Sequence, residues 1–168
     1  KNRGVVLIRR APGGSENVAA VAVATELGVP KVIRFFRSMG LSTFDKTASY
    51  YGLGVTLGNA EVRLAELTAA YATFARQGLT INPISIKQID NGHGWKPIPA
   101  KESAERVMSE RAAFWITDIL SDADAREFVF GRGGSLDFPF SVAVKTGTSE
   151  GYRDNWTIGY TRDVTVGL

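Results

Sequence analysis

The stretch Phe140–Leu168, FSVAVKTGTSEGYRDNWTIGYTRDVTVGL, alternates apolar and polar side chains in three runs separated by turn residues. In the first run Phe140, Val142 and Val144 face one way and Ser141, Ala143 and Lys145 the other, the period-two pattern of a half-buried strand reaching Thr146. After the turn SEGYRDN, Trp156, Ile158 and Tyr160 form a second run, and TRD leads into a third, Val164–Leu168. Three strands joined by short turns read as an antiparallel meander. The chain before them is helical in pattern, and helices followed by a meander make an α+β fold.

Outward from the meander, EVRLAELTAAYATFARQG (Glu61–Gly78) places Leu64, Leu67, Tyr71 and Phe74 at helical spacing, with Gly78 expected at the C′ position. Earlier, Val18–Leu27 is apolar on nearly every side until Glu26, which reads as a helix buried all round. Ser15 or Asn17 would cap its start, and Gly28 and Pro30 would stop it. Lys31–Met39 brings Val32, Phe35, Phe36 and Met39 onto one helical face and ends at Gly40. SYYGLGVTLGNA (Ser49–Ala60) carries three glycines and no helical stripe, so an irregular connection is expected. Thr80–Asp90 alternates through Ile84 and Ile86 and is followed by NGHGWKPIP, a short edge hairpin. Ser109 caps a helix from 110 to 120, and SDADAREFVFGRGGSLDFP (Ser121–Pro139) reads as loop.

At 168 residues, 44% hydrophobic and 22% charged, the chain can bury one core. Its 20 basic residues outnumber 17 acidic ones by only three and are scattered, which argues against nucleic acid as a partner. There is no cysteine and one histidine, His93, so a Cys/His metal site and a disulfide framework are excluded and no cofactor is expected. No run approaches the roughly 18 apolar residues of a membrane span, and the N-terminal apolar segment is too short for a secretory signal. GVVLIRR at the start and DVTVGL at the end both read as elements entered part-way. The expectation is a piece of a longer protein.

The chemistry centres on Lys145. By alternation it shares a face with Ala143 and Gly147, small residues that leave a trough beside a fixed cation, and such a trough suits an anion. Gly147 permits close approach of a ligand, the Thr148 N–H could point at a developing oxyanion, and the hydroxyls of Thr146, Thr148 and Ser149 could donate to a carboxylate. Strict alternation, however, turns Thr146 and Thr148 away from Lys145. The bland alternative is a strand end with a solvated lysine. Ser15-Glu16-Asn17 has a similar dual reading, because a hydroxyl there can simply cap the helix. Taken together, S-x-N opening a helix and K-T-G-T ending a strand roughly 130 residues later follow the order of active-site serine enzymes that open a β-lactam or a peptide amide.

The segments GGSENVAAV, YYGLGVTLGNAEVRLAELTAAYATFARQGL and VKTGTSEGYRDNWTIGYTRDVTVGL resemble the transpeptidase domain of class A penicillin-binding proteins, most closely the 1C type. The resemblance runs from about Ser15 to the end and implies an incomplete penicillin-binding/serine β-lactamase-like fold. It implies acyl transfer on D-Ala-D-Ala stem peptides of peptidoglycan, with β-lactams as the other ligands. Carried onto this sequence, Ser15 relays a proton to the leaving nitrogen, Asn17 holds the substrate amide, and Lys145 holds the terminal carboxylate and tunes Ser15. Thr146 and Thr148 would bind that carboxylate, with Ser149 and Gly147 beside it, and the Thr148 N–H would supply half of the oxyanion hole. The family nucleophile lies in an S-x-x-K motif ahead of S-x-N, and no S-x-x-K occurs in these 168 residues. The resemblance thus implies that residues 1–168 are a partial domain, lacking the N-terminal part with that motif and the C-terminal end, and unable to acylate alone. It further implies a periplasmic or extracytoplasmic parent anchored to the inner membrane, with a possible glycosyltransferase domain. Uncovered edges would favour self-association of the fragment. A serine β-lactamase-like hydrolase and a non-catalytic penicillin or cell-wall-peptide recognition module are the other readings the motifs allow.

Overall fold

The computed structural model of the chain describes residues 6–99, 104–149 and 154–168. Residues 1–5, 100–103 and 150–153, the last within the turn expected after Ser149, lie outside these. Three helices organise the start: α1 (Arg10–Gly13), α2 (Asn17–Leu27) and α3 (Val29–Ser38). Gly28, at φ 82°, separates α2 from α3. Pro30 starts α3 and does not stop α2, since in a first helical turn its missing N–H removes no hydrogen bond. Contrary to expectation α2 is not buried all round: only Ala24 is buried, while Val18 is 71% and Val23 56% exposed. An all-apolar helix has the capacity for burial on every side, but α2 packs mainly on α3 and on the 3₁₀ segment Gly52–Leu57.

SYYGLGVTLGNA is more regular than its glycines suggest, forming α4 (Ala48–Tyr51) and that 3₁₀ segment. Tyr51 and Val55 point inward to join Ile33, Met39, Leu41, Phe44 and Ala70 in the first core cluster. Rings connect it, with Phe36 and Phe44 centroids 5.1 Å apart and Phe44 and Tyr51 5.4 Å apart.

The helix α5 (Leu64–Ala75) is where the periodicity places it. Its end is a Schellman motif, with Gly78 N–H bonding Thr73 O at 2.9 Å and Gln77 N–H bonding Phe74 O at 3.0 Å. The left-handed C′ residue is Gln77, at φ 55°, and Gly78 is one position beyond it. Gly78 is needed on two counts: its φ is 91°, and a Cβ there would lie 2.3 Å from Met108 O.

Only the ends of the expected 80–90 strand pair. β1 (Leu79–Thr80) pairs with β4 (Glu105–Arg106), and β2 (Gln88–Asp90) pairs with β3 (Trp95–Pro97) in the expected hairpin. Helix α6 (Glu110–Ser121) starts at Ser109, whose Oγ accepts the Ala112 N–H at 3.2 Å. The stretch after it is not loop: Asp122 accepts the Ala125 N–H at 3.1 Å and caps α7 (Ala123–Phe130), which ends at Gly131 with φ 73°.

The meander is β5 (Ala143–Thr148), β6 (Asn155–Tyr160) and β7 (Thr165–Gly167), antiparallel in that order. Its register sets Ala143 opposite Tyr160, Lys145 opposite Ile158, and Thr148 opposite Asn155. β5 starts three residues later than Phe140 because β6 ends at Tyr160 and offers 140–142 no partner. The face carrying Ala143 and Tyr160 packs with Leu120 against Tyr71, Phe74 and Ile116, forming the second core cluster. The Tyr160 hydroxyl meets Thr117 Oγ1 at 3.0 Å, satisfying the one polar atom that ring brings inside. β7 lies so close to α5 that a Cβ on Gly167 would sit 2.0 Å from Thr68 Oγ1.

Candidate active site

Ser15 is positioned by a tight loop. Its N–H bonds Pro12 O at 3.1 Å, and the next N–H, of Glu16, reaches back to Ala11 O at 2.9 Å. Two glycines let this loop sit against α7: a Cβ on Gly13 would be 2.9 Å from Ala125 Cβ, and one on Gly14 would be 2.2 Å from Phe128 Cζ. Arg9 ties the loop to the α6–α7 junction, reaching Asp118 at 2.5 Å and Asp122 at 3.2 Å. Burial alone would raise the Asp122 pKa, but the Ala125 N–H and Arg9 together hold it below the ordinary range. One carboxylate therefore caps α7 and fixes the loop that carries Ser15.

The capping reading of Ser15 and Asn17 does not hold. The N-cap position of α2 is Glu16, without a side-chain cap bond, and Ser15 lies before it at φ 56°. A non-glycine residue in the left-handed region is strained by about 1–3 kcal/mol, and such strain persists only where surrounding contacts impose it. The contact here is with the meander, since Lys145 Nζ donates to Ser15 Oγ at 2.8 Å across 130 residues of chain. Substitutions separate strain from chemistry. Both Ser15→Ala and Ser15→Gly lose the hydroxyl, but the glycine variant should be more stable than the alanine variant by about 1 kcal/mol in chemical denaturation. Equal stability would mean that Ser15 is not strained.

Lys145 also donates to its neighbour's carbonyl, Thr146 O, at 2.5 Å. The ladder explains why that carbonyl is available. Ser149 N–H bonds Asp154 O at 3.0 Å, and Thr157 and Leu168 exchange two bonds of 2.9 Å, so Thr157 points its backbone at β7. By antiparallel alternation the backbone groups of Thr146 and Thr148 then point away from β6, toward the outer edge of β5. β5 has no strand beyond it among the described residues. The Thr146 carbonyl, the Lys145 ammonium and the Ser15 hydroxyl thus meet along one open edge, and the Thr148 N–H follows one two-residue step further, about 6.6 Å on. Gly147 is exposed there, with nothing within 4 Å of where its Cβ would be.

Burial pushes the Lys145 pKa below the ordinary lysine value of 10.5. With the folded pKa depressed, the unfolded chain binds this proton more tightly, so the contribution of Lys145 to stability rises as the pH climbs through the folded pKa toward 10.5. An NMR titration of the Lys145 side chain should give a midpoint below 10.5. A midpoint at or above that value would show that the site favours the ammonium.

The remaining candidates divide. Thr146 and Thr148 turn their side chains to the face opposite Lys145 and, with Asn155 and Thr157, line a cavity of about 390 Å³ bounded by α7 and by Gly131–Asp137. Thr148 Oγ1 donates to Asn155 Oδ1 at 3.4 Å. Ser149 serves the turn, its Oγ accepting the Asp154 N–H at 2.9 Å. Asn17 opens α2 as an exposed residue whose side chain makes no hydrogen bond among the described residues. The part of the cavity wall that sequence reasoning missed is α7, which contributes Arg126 and Phe130. The signal for that helix was Asp122 at a capping position with Gly131 after its last turn.

Residues 3–166 match the model of the penicillin binding protein transpeptidase domain. The chain belongs to this family. Among curated proteins it is similar to penicillin-binding protein 1A of Aquifex aeolicus (strain VF5), 32% identical over 168 residues, which is 100% of this chain and 22% of that protein. It is 33% identical to penicillin-binding protein 2a of Streptococcus pneumoniae (strain ATCC BAA-255 / R6) over 160 residues, 90% of this chain and 21% of the relative. The chain spans about a fifth of the length of these relatives. Its fold is that of penicillin-binding protein A from M. tuberculosis, solved as an imipenem acyl-enzyme complex, with a TM-score of 0.77 at 20% identity over 99% of this chain and 42% of the other. Penicillin-binding protein 1A from Haemophilus influenzae gives 0.67 at 23% identity, over 91% and 28%. The α+β class read from the meander and the penicillin-binding fold implied by the resemblance are therefore the fold observed, and the subtype 1C rests on the sequence resemblance alone.

Proposed function

We propose that this chain is the K-T-G and S-x-N part of a peptidoglycan D,D-transpeptidase, an acyltransferase that cleaves the terminal D-Ala-D-Ala amide of a stem peptide and is acylated by β-lactams. The observation that carries this reading is the 2.8 Å contact between Lys145 Nζ and Ser15 Oγ, which joins the two motifs at an open strand edge. Two hydroxyl or ammonium groups joined by a hydrogen bond can pass a proton, and a lysine whose burial lowers its pKa is suited to tuning the serine beside it. In the reaction a serine hydroxyl attacks the amide carbonyl carbon, the C–N bond breaks, and the departing D-alanine nitrogen takes its proton through Ser15. An acceptor amine then displaces the serine oxygen. The Thr148 N–H at the β5 edge stabilises the oxyanion, Asn17 receives the substrate amide, and the hydroxyls of Thr146 and Thr148 receive the terminal carboxylate with Gly147 and Ser149 beside them.

The attacking serine belongs to an S-x-x-K motif that residues 1–168 do not contain, so the chain is a partial domain and acts only within a parent protein. The span of about a fifth of the relatives' length supports this. The same reading makes the parent an inner-membrane-anchored, extracytoplasmic synthase with room for a glycosyltransferase domain. No helix among the described residues is long and apolar enough to cross a membrane. Exposed Val18, Phe114 and Trp115 support self-association of the isolated chain. The test is release of D-alanine from a pentapeptide stem substrate by the full-length protein. Release that stops after treatment with penicillin supports the reading; a folded full-length protein that releases none contradicts it.

A further inference from the structure

The reach of Ser15 is set at the far end of α1. That helix has four residues, Pro12 among them, and is too short to hold its shape alone. It packs against α6 and α7, and contacts at its two ends fix it there. At the end next to Ser15, Gly13 and Gly14 lie against Ala125 and Phe128 of α7. At the other, the Arg9 guanidinium is held by two carboxylates, with Nη2 at 2.5 Å from Asp118 Oδ2 and Nη1 at 3.2 Å from Asp122 Oδ2. Nη1 also donates to the Asp118 carbonyl at 3.5 Å. Among the described residues neither carboxylate has another ion-pair partner. A lone exposed ion pair fixes little, but one planar guanidinium shared by two acids and a carbonyl has a single position that serves all three.

Backbone bonds join this clamp to the serine. The Arg10 and Ala11 N–H groups both bond Leu7 O, at 2.9 and 3.1 Å, Gly14 N–H bonds Arg10 O at 2.8 Å, and Ser15 N–H bonds Pro12 O at 3.1 Å. A shift of Arg9 is thus carried to Ser15, whose φ of 56° is a conformation that a serine leaves when nothing holds it. We infer that Arg9 is a positioning residue: clamped between Asp118 and Asp122, it keeps Ser15 in the left-handed conformation that sets its Oγ 2.8 Å from Lys145 Nζ. Arg9 acts through Ser15 and not on the reacting atoms. Asp122 has a second task as the cap of α7, whereas among the described residues the Asp118 carboxylate serves the clamp alone. The consequence for acylation rests on the transpeptidase reading; the clamp itself rests on these contacts.

The first readout is the nuclear Overhauser contact between the Ser15 β-protons and the Lys145 ε-protons in the 168-residue chain. It should be present in the unaltered chain, lost in Arg9→Met, and recovered in part in Arg9→Lys, which keeps the charge and loses the planar fork. Asp118→Ala opens the clamp without removing the α7 cap and should weaken the contact as well, which decides the matter where Arg9→Met does not fold. As a control, Arg63→Met breaks a 2.7 Å ion pair with Glu66 on α5 and should leave the Ser15 contact unchanged. The second readout is acylation of the full-length protein by a β-lactam. Arg9→Met should lower the acylation rate constant by about 10- to 100-fold while the noncovalent affinity for the β-lactam changes little, the split expected of a misplaced Ser15. A contact absent from the unaltered chain, or one that survives in the folded Arg9→Met or Asp118→Ala chain, overturns the proposal. So does its equal loss in Arg63→Met, or normal acylation in Arg9→Met. The contact is read on the isolated chain without any chemistry, so a full-length protein that is never acylated sinks the transpeptidase reading and leaves the clamp to be decided by the contact.

Discussion

Replacing Lys145 by alanine in the full-length protein is expected to slow acylation by a β-lactam by about 100- to 10,000-fold, the range in which a positioned proton-transfer or electrostatic group acts. The reason is local. Lys145 Nζ contacts Ser15 Oγ and Thr146 O, the two groups that line the open edge of β5, and removing it leaves Ser15 without its partner. The fold should survive, because Lys145 makes no ion pair among the described residues and its burial already disfavours the charge. The thermal midpoint of Lys145→Ala should therefore stay close to that of the parent protein. A variant that acylates at the normal rate would remove Lys145 from the reaction, and one that unfolds would make the lysine structural.

The second large effect concerns packing. In Gly14→Ala the new Cβ would lie 2.2 Å from Phe128 Cζ and 2.6 Å from Cε1. Gly14 has an ordinary φ of −89°, so the conflict is steric and not conformational. Arg9 holds the loop and the Asp122 cap holds α7, and the Arg10 carbonyl at 3.1 Å closes the other side, so the Phe128 ring is what must turn aside. Overpacking of this kind costs about 1–3 kcal/mol. Denaturant unfolding of the chain should show that loss, and Phe128→Ala in the same background should recover part of it, since contacting residues couple by about 0.5–3 kcal/mol. Purely additive effects would show that the loop and α7 are not in contact. In the parent, Gly14→Ala should also slow acylation, because the displaced loop carries Ser15.

These two cases show why parts of the fold were legible and others were not. The meander was readable because one of its faces is core: Ala143 and Tyr160 are buried, and period-two alternation records that directly. α5 was readable for the same reason at helical period, since Tyr71 and Phe74 meet Tyr160. α2 was misread because apolar composition states what a helix can bury, not what covers it. α7 was missed because its inward side is made of Ala125 and Arg126, which give no hydrophobic stripe. The β5 start was placed too early because alternation continues through Phe140 where no neighbouring strand remains to pair with it.

At the site, the family resemblance implied that Lys145 acts on Ser15, and the two side chains lie 2.8 Å apart. The sequence also separated Lys145 from Thr146 and Thr148 correctly, since strand alternation is a local rule. It did not reveal that the serine sits at φ 56° outside the helix, nor that Arg126 of α7 lines the same cavity as the threonines. Both depend on contacts between distant segments, which no local pattern encodes.

The central claim is that the Ser15–Lys145 pair belongs to a transpeptidase active site whose nucleophile lies elsewhere in the parent. Covalent labelling by a fluorescent penicillin, followed by mass spectrometry of the labelled peptide, tests it most directly. The account predicts that the full-length protein is labelled on the serine of an S-x-x-K motif outside these 168 residues, that labelling slows sharply in Lys145→Ala and Ser15→Ala, and that the isolated chain is not labelled. A folded full-length protein that takes up no label, or one labelled on Ser15 itself, would contradict it.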